Sequence, residues 1–363
     1  MTQLELYFEF IQYSLGVKEK LPAMTADIDW TDFYQFAKKQ SLLGVVFDGI
    51  SRLPKELAPD VDLLMKWMGN SMAIKKRNVL MYQASEEVYS EVRKAGFRCC
   101  ILKGQGNAIA YPNQYSRTAG DVDVWVLAEN RKGLKRLALD LADSPSDVSR
   151  EIVQHIELGR NGVSVELHPA PMMFNNPILN HRMQRWFKRN ADLQCSNLIE
   201  LPEDIGKIAI PTAIFNAIYQ LSHLHHHFFY EGVELLQVID YCFVLNNLDS
   251  SEFATLQHDL KHLGLWSFCG AVMYVLHEVL GFDETKMIIP MDVKRGQLLL
   301  DEILSGGNFG QYGNHRHFGR GTVGHNIQRI QRDLWLVRYY PAEALAEPFF
   351  RVLHFLWRLR NKA

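Results

Sequence analysis

The stretch Arg117-Thr118-Ala119-Gly120-Asp121-Val122-Asp123-Val124-Trp125-Val126 places two carboxylates two positions apart in an apolar run. Successive side chains of a β-strand point to opposite faces, so Asp121 and Asp123 share one face and the valines share the other. Two adjacent carboxylates repel each other unless a positive charge lies between them. Mg²⁺ prefers carboxylate oxygens together with substrate phosphates, and Lys103 and Arg117 lie nearby in the sequence. The pattern therefore indicates a strand that binds a metal ion and a phosphate.

An Asp-x-Asp pair on its own is common and also marks the end of a strand or a turn. A third acid strengthens the metal interpretation, because Glu166 and His168 share the polar face of a second alternating run, residues 163–168. The dipeptide Asn161-Gly162 between two apolar runs is a hairpin signal. We therefore expect Glu166 on a strand near the aspartates. His168 either orients this acid, contacts substrate or makes a purely structural hydrogen bond.

In these motifs the chain resembles the uncharacterised bacterial nucleotidyltransferase family of the polymerase-beta-like superfamily. The motifs are Lys103-Gly104, Tyr111-Pro112, Arg117, Asp121-x-Asp123 and Val165-Glu166-Leu167-His168. A second block with the same resemblance contains the histidine-rich residues 223–228 and the following residues 232–240. Together the similar segments cover about residues 75 to 245.

The resemblance implies a transferase that moves a nucleoside monophosphate from an NTP to an acceptor hydroxyl and releases pyrophosphate. Two Mg²⁺ ions, or Mn²⁺ in their place, would serve as cofactors in a two-metal displacement. Asp121 and Asp123 would bind both ions, and Glu166 would complete the metal site. Glu166 could also help to deprotonate the acceptor.

The resemblance also implies a phosphate site. Lys103 and Arg117 would neutralise phosphate charge, and Gly104 and Gly106 would let backbone amides approach the phosphates at a helix start. Members of the superfamily usually have Gly-Ser or Gly-Gly in this turn, and here the serine is missing. The backbone or Asn107 would have to replace its hydroxyl.

Two other functions stay open at this stage. The chain could be a non-catalytic nucleotide-binding or interaction protein on the same fold. The altered glycine turn would then be the sign of the lost catalysis. It could also be a toxin-like modifier of tRNA or of a protein. The acceptor, the preferred NTP base and the oligomeric state are not encoded in any recognisable motif.

Composition narrows the classes of partner. The chain has 363 residues with 39 Lys and Arg against 41 Asp and Glu, a balance that argues against general nucleic-acid binding but leaves tRNA open. Its five cysteines include no C-x-x-C, which favours free thiols in a reducing cytoplasm. The first residues do not resemble a signal peptide, and no apolar run approaches about 18 residues. We therefore expect a cytoplasmic protein without a membrane segment.

The predicted fold class is α+β, with a small mixed-sheet nucleotidyltransferase core between two helical regions. We expect an N-terminal helical region at residues 1–74, the core at 75–200 and a C-terminal helical region at 201–363. Local signals predict further elements: a helix at 33–40 capped by Thr31, a helix at 73–95, a strand at 97–102, a short helix at 105–111 and a helix at 131–143.

Two features have open interpretations. A glycine-rich loop at 305–324, with its basic side chains His315, Arg316, His317 and Arg320, is either a mobile lid or a connector. His223 and His227 are four positions apart and would share one helix face. They could bind zinc with Asp240 as a third ligand, but the Glu of an H-E-x-x-H motif is absent, and a buried hydrogen bond of His227 is the favoured interpretation.

Overall fold

The computed structural model describes residues 1–151, 154–306, 332 and 334–351. The α-helices are α1 (Gln3–Ser14), α2 (Trp30–Lys39), α3 (Leu43–Ile50), α4 (Val61–Lys94), α5 (Gln105–Ala108), α6 (Arg131–Leu141), α7 (Pro177–Gln194), α8 (Ala213–Tyr230), α9 (Leu235–Asn246), α10 (Phe253–His262), α11 (Trp266–Leu280), α12 (Val293–Gly306) and α13 (Pro341–Ala344). The strands are β1 (Cys99–Ile101), β2 (Val122–Val126), β3 (Val148–Glu151), β4 (Ile156–Arg160), β5 (Val163–His168), β6 (Leu198–Glu200) and β7 (Lys207–Ala209).

The main sheet has five strands in the order β1-β2-β5-β4-β3. Strands β2 and β5 pair in parallel, and the other neighbouring pairs are antiparallel. Strands β6 and β7 form a separate two-stranded ribbon. The prediction of an α+β fold with a small mixed sheet and flanking helices is therefore confirmed.

The turn between β4 and β5 fixes the register of these two strands. Asn161 and Gly162 have φ angles of 48° and 72°, as a two-residue type I′ hairpin requires. Pairing then runs from Arg160 opposite Val163 to Ile156 opposite Leu167. The predicted hairpin is confirmed, and it brings Glu166 into the centre of the sheet beside β2.

The two faces of the main sheet differ in polarity. The valines of β2, together with Val165 and Leu167 of β5 and Ile156 and Leu158 of β4, are buried in one apolar cluster with residues of α4 and α6. Because side chains alternate along a strand, this packing places Asp123 and Glu166 on the opposite face. The buried valine face thereby determines the direction of the carboxylates.

A second, larger core joins the helices at the two ends of the chain. It contains buried side chains of α1, α2 and α3 together with those of α8, α9 and α11. Specific hydrogen bonds tie the ends together: Gln12 Nε2 donates to Val279 O at 2.9 Å, and Gln40 Nε2 donates to Ile303 O at 2.9 Å. All five cysteines are buried and free, as expected.

Several predicted helix boundaries are wrong, and capping explains two of them. Helix α4 begins at Val61 rather than near residue 73, because Asp60 Oδ1 accepts a hydrogen bond from Leu63 N at 3.0 Å. The helix therefore continues across residues 74 and 75, where the boundary between the N-terminal helical region and the core was expected. Helix α2 is capped by Asp29, not Thr31, and the Asp29 Oδ1 atom accepts from two backbone amides at 3.0 Å.

Other expectations fall partly outside the described residues. Of the glycine-rich loop at 305–324, only residues 305 and 306 are described, and they end α12. Its four basic side chains lie outside the described residues. None of the described helices combines the length and the apolar character needed to cross a bilayer.

One buried acid should make stability depend on pH. Ser41 Oγ donates to Glu234 Oε2 at 2.7 Å, and burial raises the pKa of Glu234 from 4.5 to about 7. A raised pKa means that the folded state binds the proton more tightly than the unfolded chain does. The contribution of this proton to the free energy of unfolding is therefore lost as the pH rises from about 5 to about 8. Glu234→Gln should remove that loss, which is about 3 kcal/mol at most.

Urea denaturation at the two pH values measures this difference in the free energy of unfolding. The exposed Glu56, as the variant Glu56→Gln, is the matched control and should retain the wild-type pH dependence. An unchanged pH dependence in Glu234→Gln would contradict the assignment.

Candidate active site

Three carboxylates meet on the polar face of the main sheet. Asp121 immediately precedes β2, Asp123 lies within it, and Asp123 is paired with Glu166 in the parallel register of β2 and β5. Each of the three offers one carboxylate oxygen, and these oxygens lie within 4.8 Å of one another. The structure therefore brings together the three acids that the sequence singled out.

Lys103 lies against the two aspartates of this cluster. Its Nζ lies 3.2 Å from Asp123 Oδ2 and 3.7 Å from Asp121 Oδ1. Burial lowers the pKa of Lys103, but the two aspartates outweigh it and hold this pKa well above its usual range. The lysine is therefore a fixed positive charge at the acid cluster.

The pKa values of the three acids are shifted in different directions. Burial raises the pKa of Asp123, yet Lys103 and His168 hold it well below its usual range. The pKa of Asp121 is raised by burial and by the neighbouring Asp123. Burial also raises the pKa of Glu166. One strongly ionised carboxylate thus stands beside two that hold a proton more readily.

His168 connects two of the acids. Its Nε2 lies 3.0 Å from Asp123 Oδ1 and 3.2 Å from Glu166 Oε2. Burial lowers the pKa of His168, and the hydrogen bonds to the two carboxylates more than compensate, raising it to about 9. Of the roles left open by the sequence, orientation of Glu166 fits these contacts.

The donor set fits a hard divalent cation. Oxygen ligands about 2.1 Å from an octahedral Mg²⁺ lie about 3.0 Å apart at neighbouring positions and about 4.2 Å apart at opposite positions. The three carboxylate oxygens, within 4.8 Å of one another, are close to this spacing. Asp121, Asp123 and Glu166 could therefore hold such an ion with small side-chain adjustments.

Lys103 also contacts one of two hydrogen-bonded histidines on α8. Lys103 Nζ is 3.3 Å from His223 Nε2, which lies 3.1 Å from His227 Nε2. His227 Nδ1 is 2.9 Å from Glu231 Oε2. Burial, followed by the charge of Lys103, holds the pKa of His223 well below its usual range, so a neutral His223 can accept a hydrogen bond from the lysine ammonium.

The imagined zinc set of His223, His227 and Asp240 is not assembled. Asp240 binds Arg117 instead, and no group of three ligating side chains in the described part of the chain includes either histidine. The spacing of four residues reflects a hydrogen-bonded histidine pair on one helix face.

Arg117 does not join the acid cluster. Its Nε donates to Asp240 Oδ1 at 2.8 Å and its Nη2 donates to Asp240 Oδ2 at 2.7 Å, a bidentate pair. Tyr111 Oη donates to Asp240 Oδ1 at 2.6 Å. The buried guanidinium thus ties the segment before β2 to α9.

The glycine turn lies between the acids and a cavity. Gly104 has a φ of 65° and precedes the single helical turn α5, and a Cβ at Gly104 would lie 3.4 Å from Asp121 O. A Cβ at Gly106 would lie 2.9 Å from the side chain of Ile210. Gly104 therefore approaches the aspartate segment, whereas Gly106 packs against the residue after β7.

Asn107 lines a cavity of about 290 Å³ between α5 and α8. Asn216 Nδ2 donates to Asn107 Oδ1 at 3.1 Å, while Asn107 Nδ2 and Asn216 Oδ1 are buried without a hydrogen-bond partner among the described residues. Asn216 and His223 are seven residues apart on α8, about 10 Å along the helix axis. The cavity is thus about 10 Å along α8 from the contact with Lys103.

The sequence patterns did not indicate His155, whose Nδ1 lies 3.2 Å from Glu166 Oε2. A signal was present, because a two-residue turn at Asn161-Gly162 places residue 155 opposite residue 168. For the contact between Lys103 and His223 there was no comparable signal, since it joins a loop to a distant helix.

A model of the uncharacterised nucleotidyltransferase family matches residues 26–281. This segment is more than half of the chain and contains β1 to β7 with all three acids. The chain therefore belongs to this nucleotidyltransferase family. No curated protein and no solved structure shows significant similarity to the chain.

The buried pair of Arg117 and Asp240 gives a stability prediction. Asp240→Asn should leave the guanidinium without its counter-charge and lower the free energy of unfolding by about 3–5 kcal/mol. Glu200→Gln breaks an exposed ion pair with Lys207 and serves as the control, with no measurable change expected. Urea denaturation measures both variants, and equal effects would contradict a structural role for Asp240.

Proposed function

We propose that the protein is a Mg²⁺-dependent nucleotidyltransferase of the polymerase-beta-like superfamily. It would transfer a nucleoside monophosphate from an NTP to an acceptor hydroxyl and release pyrophosphate. The observation that supports this most is the meeting of Asp121, Asp123 and Glu166 within 4.8 Å in a chain of a nucleotidyltransferase family. We also place the reaction in the cytoplasm, where buried free thiols stay reduced.

Each acid has a role in this reaction. Asp121 and Asp123 would hold two Mg²⁺ ions, or Mn²⁺, with Glu166 completing the site. Bound metal would supply positive charge to the triphosphate and acidify the acceptor hydroxyl. The acceptor oxygen forms a bond to the α-phosphorus as the bond from that phosphorus to the β-bridging oxygen breaks. The acceptor proton goes to Glu166, whose pKa burial raises above its usual value.

The basic residues have different tasks in this proposal. Lys103 would neutralise phosphate charge beside the acids, with His223 as its second partner. Gly104 would keep the backbone near the aspartate segment free of a side chain. Arg117 would be a positioning residue rather than a phosphate ligand, because Asp240 occupies its guanidinium. Gly106 would pack the turn against Ile210.

The cavity beside Asn107 and Asn216 would accommodate the nucleoside. A buried amide donor and a buried amide acceptor, both without partners in the part of the chain that the structure describes, match the mixed donors and acceptors on the edge of a base. A separation of about 10 Å along α8 from the Lys103–His223 contact leaves room for the ribose and phosphates between the two places.

The acid cluster is tested by pyrophosphate release from each NTP with Mg²⁺ or Mn²⁺ and a panel of small-molecule and cell-extract acceptors. Asp121→Asn and Asp123→Asn should reduce release by about 100-fold or more, because each removes a carboxylate charge from the metal site. Asp140→Asn, on the exposed face of α6, is the matched control and should keep wild-type release.

Release that persists in Asp121→Asn would overturn the metal assignment. NTP binding without any release would favour a non-catalytic nucleotide-binding protein on the same fold. Growth arrest on expression, relieved by Asp121→Asn, would instead identify the acceptor as tRNA or a protein.

The nucleoside cavity is tested by steady-state kinetics. Asn216→Ala should raise KM for the NTP by up to about tenfold with little change in kcat, because it removes one ground-state hydrogen bond. Asn246→Ala alters an exposed asparagine of α9 outside the cavity and is the control. A fall in kcat at unchanged KM would contradict a role in nucleoside binding.

A further inference from the structure

The hairpin of β4 and β5 aligns two histidines. Ile156 is paired with Leu167, so the next antiparallel position places His155 opposite His168. Directly opposite residues of an antiparallel pair point to the same face. Both imidazoles therefore lie on the polar face of the sheet, together with Glu166.

The two imidazoles converge on one oxygen. His155 Nδ1 and His168 Nε2 each lie 3.2 Å from Glu166 Oε2. The two rings are 5.3 Å apart between centroids, and the three ligand atoms lie within 4.8 Å of one another. This is a second constellation with metal-ligand spacing beside the three carboxylates.

We propose that His155, Glu166 and His168 form a binding site for a transition-metal ion of the Zn²⁺ type. Two imidazole nitrogens and one carboxylate suit Zn²⁺ and similar ions, whereas Mg²⁺ prefers oxygen ligands alone. Ligand atoms about 2.1 Å from a tetrahedral ion are about 3.4 Å apart. The two distances of 3.2 Å to Glu166 Oε2 are close to this value.

A metal ion at this place would replace an existing contact. His168 Nε2 is also 3.0 Å from Asp123 Oδ1, so a proton and a metal ion compete for the same nitrogen. The proton on His168 contributes one positive charge between the two carboxylates, whereas a divalent cation contributes two, and Asp123 Oδ1 provides a further oxygen donor. The side chains of His155, Glu166 and His168 keep exposed fractions of 14, 18 and 10%, so an ion can reach them.

The site is tested on the full chain without nucleotide, and its outcome is therefore independent of the proposed transferase activity. Zn²⁺ is titrated in competition with a chromophoric chelator, and Co²⁺ is used to record visible absorption from metal–ligand geometry. We expect one Zn²⁺ per chain, and His155→Ala should weaken its affinity by about 100-fold. The exposed His181, as His181→Ala, is the matched control and should bind as wild type does.

Two further variants separate this site from the three-carboxylate site. Asp121→Asn should retain Zn²⁺ binding, because Asp121 is not among the ligands, and Glu166→Gln should lose it. Near-UV circular dichroism checks the fold of His155→Ala, and His155→Gln repeats the test with a side chain of similar size. Equal Zn²⁺ affinity in wild type and both His155 variants, or loss of binding in Asp121→Asn alone, would overturn the proposal.

Discussion

The parallel pairing of β2 with β5 is the constraint on which the site depends. It sets Asp123 beside Glu166, although 43 positions separate them in the chain. Parallel strands need a long crossover, and here α6, β3 and β4 supply it. Burial of the alternating valines against α4 and α6 fixes which face each strand presents. The same apolar packing that stabilises the sheet therefore forces the carboxylates together and creates their mutual repulsion.

Lys103 supplies positive charge against that repulsion, and the C-terminal helices hold the basic residues in position. Lys103 reaches the aspartates from one side and touches His223 of α8 on the other. Arg117 binds Asp240 of α9 and so anchors the segment that leads into β2. Helices α8 and α9 thus support the acid cluster through two separate polar links. The C-terminal helices contribute to the geometry of the site as well as to the hydrophobic core.

The predictable part of this molecule is its local periodicity. Alternation of apolar and polar residues was enough to place Asp121, Asp123 and Glu166 on one face, and Asn161-Gly162 was enough to predict the hairpin. Contacts between distant segments carried no such signal, so the pair of Arg117 with Asp240, 123 positions away, was not predicted. The start of α4 was not predicted because it depends on the cap at Asp60, well before the apolar periodicity that indicated the helix.

Surface turns usually tolerate insertions, because the chain there makes few packed contacts. The type I′ turn after β4 is an exception. A slip of one residue exchanges the two faces of a strand, so one added residue would direct Ile156 and Leu158 towards the polar face and His155 towards the valine core. Arg77 Nη1, which donates to Gly162 O at 3.0 Å, further fastens this turn to α4. The register of the sheet therefore constrains the length of this loop as tightly as packing constrains the buried core.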